Sequence, residues 1–126
     1  MALRTVSSKD EFHHLIKRSA LTVVYMQATW AGPCRMIRPV LEEAAKWAEE
    51  TFGSTLNKEN TPVFLDVDID GSPGQQLAEE FTVEAVPTTL FMSEGNVVEK
   101  VVGANQQRLK DAIAAHVTIG DAAAAP

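Results

Sequence analysis

The pentapeptide Trp30-Ala31-Gly32-Pro33-Cys34 stands between two segments of opposite character. Before it, Leu21-Thr22-Val23-Val24-Tyr25-Met26-Gln27 is rich in β-branched and aromatic side chains and predicts a buried strand. After it, Ile37, Val40, Leu41, Ala44, Ala45 and Ala48 predict a long helix with one apolar face. Pro39 lies inside that helix, where a kink is expected one turn back. Gly32-Pro33 thus reads as a turn, and Cys34 falls near a helix N-terminus, where the dipole favours a thiolate. The opposite reading of Cys34, as a small buried hydrophobe, is equally open to a free cysteine. Cys34 is the only cysteine, so no intramolecular disulfide can form.

Working outward, Ser8-Lys9-Asp10-Glu11 is a capping box, and Phe12, Leu15 and Ile16 behind it predict a helix over Ser8–Ser19. A polar loop is expected over Phe52–Thr61. The stretch Val63–Ile69 alternates, with Leu65, Val67 and Ile69 on one face and Asp66, Asp68 and Asp70 on the other. Asp70-Gly71-Ser72-Pro73-Gly74 is a turn before a short helix, Gln75–Phe81. Thr88–Met92 and Val97–Val102 are strands joined by the hairpin signal Ser93-Glu94-Gly95-Asn96. Asn105 caps a last helix carrying Leu109, Ala112, Ile113, His116 and Val117. The remainder, 118–126, reads as a flexible tail, leaving one domain over 1–117.

Length and composition bound the function. The chain has 126 residues, enough for one core without disulfides or metals. A net charge of −6 argues against nucleic-acid binding, which needs a basic face. No apolar run reaches the roughly 20 residues of a bilayer span. The opening Met1-Ala2-Leu3-Arg4-Thr5-Val6 lacks the apolar core of a secretory signal. One cysteine agrees with a reducing compartment, and the cytoplasm is the expected location.

The element order, strand and helix alternating and then a final antiparallel hairpin and helix, predicts an α/β domain. Its sheet is mixed, of four to five strands, with helices on both faces. The chain resembles the thioredoxin family in this order and in four short pieces. These are Trp30-Ala31-Gly32-Pro33-Cys34-Arg35, Pro39, Val86-Pro87-Thr88 and Val102-Gly103-Ala104.

The resemblance implies protein-disulfide reduction by dithiol exchange, with no cofactor and with electrons from an external thioredoxin reductase. It implies an attacking cysteine at position 31, where this chain has Ala31, and makes Cys34 the resolving cysteine, tucked away from the helix tip. The alanine is either the gene's own residue or a replacement, and the sequence reads the same in both cases. A sulfur restored there is expected near the surface.

Tyr25, six residues before position 31, occupies the place of a buried aspartate that assists proton transfer in many members. A phenol with an ordinary pKa near 10 is a poor base there. The resemblance also makes Val86-Pro87 a cis bond opposite the motif. Trp30, Val86, Pro87, Gly103 and Ala104 then form a shallow groove for an extended peptide or a disulfide-containing protein. None of these features depends on residue 31, so a binding module without chemistry is the rival reading. Trp30 is expected at the surface as a contact platform, and Trp47 in ordinary packing.

Two other patterns carry little. Asp66-x-Asp68-x-Asp70-Gly71 imitates the start of a calcium loop, but the required glutamate at the twelfth position is Leu77. His13 and His14 do not share a helix face, and His116 stands near a helix C-terminus, so no metal site is expected.

Overall fold

The computed structural model describes residues 3–18, 21–52 and 62–116. The order is β1 (Leu3–Thr5), α1 (Lys9–Arg18), β2 (Thr22–Gln27), α2 (Gly32–Phe52), β3 (Val63–Asp68), α3 (Gly74–Glu80), β4 (Thr88–Ser93), β5 (Asn96–Val102) and α4 (Gln106–His116). The five strands form one mixed sheet in the order β1-β3-β2-β4-β5. β1 and β2 run parallel to β3, whereas β4 is antiparallel to β2 and to β5.

Alternation along the strands divides the core in two. Val23 and Tyr25, Phe64, Phe91 and Val101 point to one face, where they meet Ile37, Leu41, Ala44, Ala45 and Ala48 of α2 and Leu109, Ala112 and Ile113 of α4. Val24, Met26, Leu65, Val67, Leu90 and Met92 point to the other, against Phe12 and Ile16 of α1 and Leu77 and Ala78 of α3. Burying each such large side chain contributes about 1.5–3 kcal/mol. Every residue of β2 is buried, as a central strand covered on both faces requires.

Local chemistry sets the element ends. Ser8 caps α1 by accepting the Glu11 N–H at 3.0 Å, and Glu11 reaches back to the Ser7 N–H at 2.8 Å rather than to that of Ser8. Asn105 Oδ1 caps α4 by accepting the Arg108 N–H at 3.0 Å. The β4–β5 turn needs two left-handed residues, and Glu94 and Gly95 supply them at φ of 50° and 90°. α2 runs through Pro39, which has no N–H to offer the Arg35 carbonyl.

Several boundaries differ from the sequence reading. Phe52 closes α2 instead of opening a loop. α3 covers Gly74–Glu80, and Phe81 is its C-cap. β3 stops at Asp68, with Ile69 and Asp70 in the following turn, so the three alternating aspartates do not share one strand face. Most of the expected polar loop and the expected tail lie outside the described residues.

Candidate functional site

β2 and α2 meet at the quoted pentapeptide, and backbone bonds fix the junction. The Ala31 N–H donates to the Ala28 carbonyl at 3.0 Å, and the Cys34 N–H to the Ala31 carbonyl at 3.1 Å. Residues 31 and 34 are therefore one turn apart at the start of α2, with Gly32 and Pro33 exposed between them. Cys34 is 2% exposed and sits in the same apolar cluster as Ala31. Ala31 is itself only 7% exposed, so a sulfur at that position would extend from a buried β-carbon, not from the surface position expected of it.

A buried thiol has little access to reagents. Iodoacetamide should label Cys34 more slowly in native protein than in denatured protein, by about tenfold or more. Equal rates in the two states would show an accessible thiol.

The other expected site residues divide into two groups. The Val86–Pro87 bond is cis, and the Gly103 N–H donates to the Pro87 carbonyl at 2.8 Å. Val86 and Ala104 pack, half-buried, on the cluster that holds Ala31 and Cys34. Pro87 and Gly103 are thus joined through their backbones, and Val86 and Ala104 share one apolar cluster with Ala31 and Cys34. Trp30 is 68% exposed, and its indole N–H donates to the carboxylate of Asp70 in the turn after β3. Asp70 was not identified as a site residue from sequence. Trp47 packs half-buried against the α2–α4 core.

Tyr25 is fully buried, and its hydroxyl donates to the Cys34 carbonyl oxygen. Burial, with Cys34 and Asp66 close by, pushes the phenol well above its ordinary range, Arg38 opposing the shift. The hydroxyl therefore stays neutral and acts as a donor to the backbone. Tyr25 is the register partner of Asp66 on β3 and of Thr89 on β4. The Asp66 carboxylate, with 14% of its side chain exposed, accepts from Arg38 Nη1 and from Gln27 Nε2, each at 3.0 Å. Arg38 lies one turn beyond Cys34 on α2, and its guanidinium stands 6.0 Å from the centroid of the Tyr25 ring.

A cavity of about 320 Å³ is lined by Tyr25, Gln27, Cys34, Arg35, Arg38 and Asp66, together with Ala28 and Thr29. Asp66 and Arg38 were also missed in the sequence. The helical spacing of Cys34 and Arg38 was a readable signal, whereas nothing local joins Asp66 to either.

The histidines have separate partners. His13 Nε2 meets Glu80 at 2.7 Å, and His116 Nε2 meets Glu99 at 2.6 Å. His14 Nε2 lies 3.4 Å from Arg18. Among the described residues, no group of three or more His, Cys, Asp or Glu is placed to hold a metal ion. No helix among them is long and apolar enough to cross a membrane.

Comparisons with known proteins agree on one family. A profile described as thioredoxin matches residues 4–115. An H-type thioredoxin of Oryza sativa subsp. indica is 37% identical over 114 residues, covering 87% of this chain and 83% of that protein. An H-type thioredoxin of Ricinus communis is 40% identical over 97 residues, covering 77% and 71%. Among solved structures, a thioredoxin of Malassezia sympodialis superposes with a TM-score of 0.75 at 32% identity, covering 90% of each chain. That of Fasciola hepatica gives 0.74 at 31%, covering 90% of this chain and 99% of its own.

Proposed function

The chain belongs to the thioredoxin family, and from that premise we propose that it keeps the family's scaffold and peptide groove while being silent in dithiol turnover. The parent activity is protein-disulfide reduction. In a member with cysteine at position 31, that thiolate attacks a substrate disulfide, forming a mixed disulfide and releasing one substrate thiolate. The second thiolate, at the position of Cys34, then attacks the sulfur at position 31, closing an intramolecular disulfide and releasing the other substrate thiol. A thioredoxin reductase supplies the electrons that reopen it.

The observation that carries the reading is a count: Cys34 is the only thiol, and Ala31 stands one turn before it. The first step lacks its nucleophile and the last lacks the sulfur to attack. The domain is taken as 1–117 and the setting as a reducing cytoplasm, which a buried free cysteine fits.

A second reading is supported by the cis Val86–Pro87 bond, the Gly103–Pro87 backbone bond and the packing of Val86 and Ala104, none of which needs a sulfur at residue 31. On it, this groove holds an extended segment of a partner by strand addition, with no covalent step.

Insulin reduction by dithiothreitol tests the first reading. The protein should leave precipitation at the uncatalysed rate, and precipitation that accelerates with protein concentration would overturn it. Retained binding of a disulfide-free extended peptide would favour the second reading.

A further inference from the structure

Two sulfurs stand near the start of α2, and only one of them is open to solvent. Cys34 is 2% exposed, whereas Met36, two residues on, is 57% exposed. The chain has four methionines. Met26 and Met92 lie in the core at 0% exposure, and Met1 falls outside the described residues. Met36 is therefore the one accessible sulfur among the described residues.

Helix geometry sets its place. Side chains three and four residues apart share a helix face, so Met36 stands on the face of Gly32 and Pro33, both exposed. Its backbone is tied down, because the Met36 carbonyl accepts from Gln106 Nε2, at the start of α4, at 2.7 Å. Five large apolar side chains stand exposed among the described residues. Three are valines of β5, and the other two, Trp30 and Met36, flank the Gly32-Pro33 turn.

A thioether attacks the O–O bond of a hydroperoxide directly. One S–O bond forms, the O–O bond breaks, and the sulfur loses two electrons to the peroxide. The proton of the transferred hydroxyl passes to the departing oxygen, which leaves as water or an alcohol. A thioether has no proton to lose, so the step needs neither a base nor a charged neighbour, and access to the sulfur selects the site. The sulfoxide that results is polar and accepts hydrogen bonds where the thioether was apolar.

We propose that Met36 is a peroxide-modified site, its thioether becoming a sulfoxide in the native chain and turning the apolar surface beside Gly32-Pro33 polar without opening the core. On the groove reading above, an extended partner then meets a polar surface, and reduction of the sulfoxide restores the apolar one. The modification itself rests on neither functional reading. Insulin reduction tests turnover and oxygen uptake tests Met36, so the two fail separately.

The experiment treats the native full-length chain with hydrogen peroxide and maps oxygen uptake by peptide mass, with N-acetylmethionine amide as the free reference. Met36 should oxidise within about threefold of the reference, and Met26 and Met92 about tenfold or more slower than Met36. Denaturation should bring all three to one rate. The Met36 rate should hold steady between about pH 5 and 8, a range over which oxidation of a thiol climbs with its ionisation. The oxidised protein should leave a phenyl matrix earlier than the parent, with its unfolding midpoint unchanged. Methionine sulfoxide reductase with dithiothreitol should restore both mass and retention. Met36→Leu retains Met1 and sets the baseline for peroxide effects elsewhere in the chain.

Equal native rates at Met26, Met36 and Met92 would overturn the proposal. So would a retention shift as large in peroxide-treated Met36→Leu as in the parent. A midpoint that falls on oxidation of Met36 would place the sulfoxide's effect in the core and overturn it as well.

Discussion

Ala31→Cys should convert the protein from inert to active in insulin reduction by dithiothreitol, with protein-dependent precipitation where the parent gives none. Residues 31 and 34 are one helical turn apart, joined by the 3.1 Å bond from the Cys34 N–H to the Ala31 carbonyl. The added sulfur would stand at the N-terminus of a 21-residue helix. Such a position lowers a thiol's pKa; at about 7 it is about half ionised near neutrality, against about 3% for a free thiol near 8.5. The gain in nucleophile is therefore roughly fifteenfold over an ordinary thiol, before any benefit from the groove. Oxidation should also remove both free thiols of the variant, which thiol titration detects. An intact disulfide between the two positions without insulin reduction would mean that the groove no longer accepts this substrate.

The burial of Ala31 makes that experiment sharper than the sequence implied. A surface alanine would accept a sulfur with no consequence for packing. Here the β-carbon belongs to the same cluster as Cys34, Ile37 and Val101. A sulfur that packed into that cluster would attack slowly while still closing a normal disulfide, so that pair of results would trace to packing. Thermal stability of the variant separates the two, since overpacking a core costs about 1–3 kcal/mol.

What could be read in the chain was whatever rests on short-range chemistry. The Ser8 and Asn105 caps, the Glu94-Gly95 turn and the two-sided burial of Val23 to Met26 all follow from neighbours within a few residues. The mixed pairing of the sheet, expected with four to five strands and found with five, followed from element order, because crossover helices force parallel pairing and a tight turn forces antiparallel pairing. The site was legible only in part. Trp30 and Asp70 are 40 positions apart and meet only because β2 and β3 end side by side.

Asp66 was misread for a definite reason. Alternation assigned it to a polar strand face, which is sound when one face of a sheet is open to water. In this sheet α2 covers that face, so Asp66 is carried under a helix and has to be answered by Arg38, 28 positions earlier. Likewise Tyr25, read as an empty proton-relay position, lies directly beside a carboxylate on the next strand. Substituting aspartate for Tyr25 would set two carboxylates side by side and remove the donor to the Cys34 carbonyl.

Gly74→Ala should cost about 3 kcal/mol or more, close to the largest loss that overpacking produces at a single position. A β-carbon built there would fall 1.8 Å from the Asp68 carbonyl oxygen and 2.5 Å from its carbon, both backbone atoms at the end of the sheet. No rotamer relieves that clash, so α3 must move away from β3 or the turn between them must change. Asp70 lies in that turn, its N–H accepted by Asp68 Oδ1 at 2.9 Å, and it holds the Trp30 indole. A lower unfolding midpoint should therefore come with altered Trp30 fluorescence in whatever folded protein remains. Two other glycines are internal controls. A β-carbon at Gly71 would meet the same carbonyl at an ordinary 3.9 Å, and one at Gly32 would meet nothing within 4 Å. Gly71→Ala and Gly32→Ala should each shift stability by less than about 1 kcal/mol. A similar loss at all three would point to backbone flexibility rather than to the contact under Asp68, and a mild effect at Gly74 would show that α3 can be displaced at little cost.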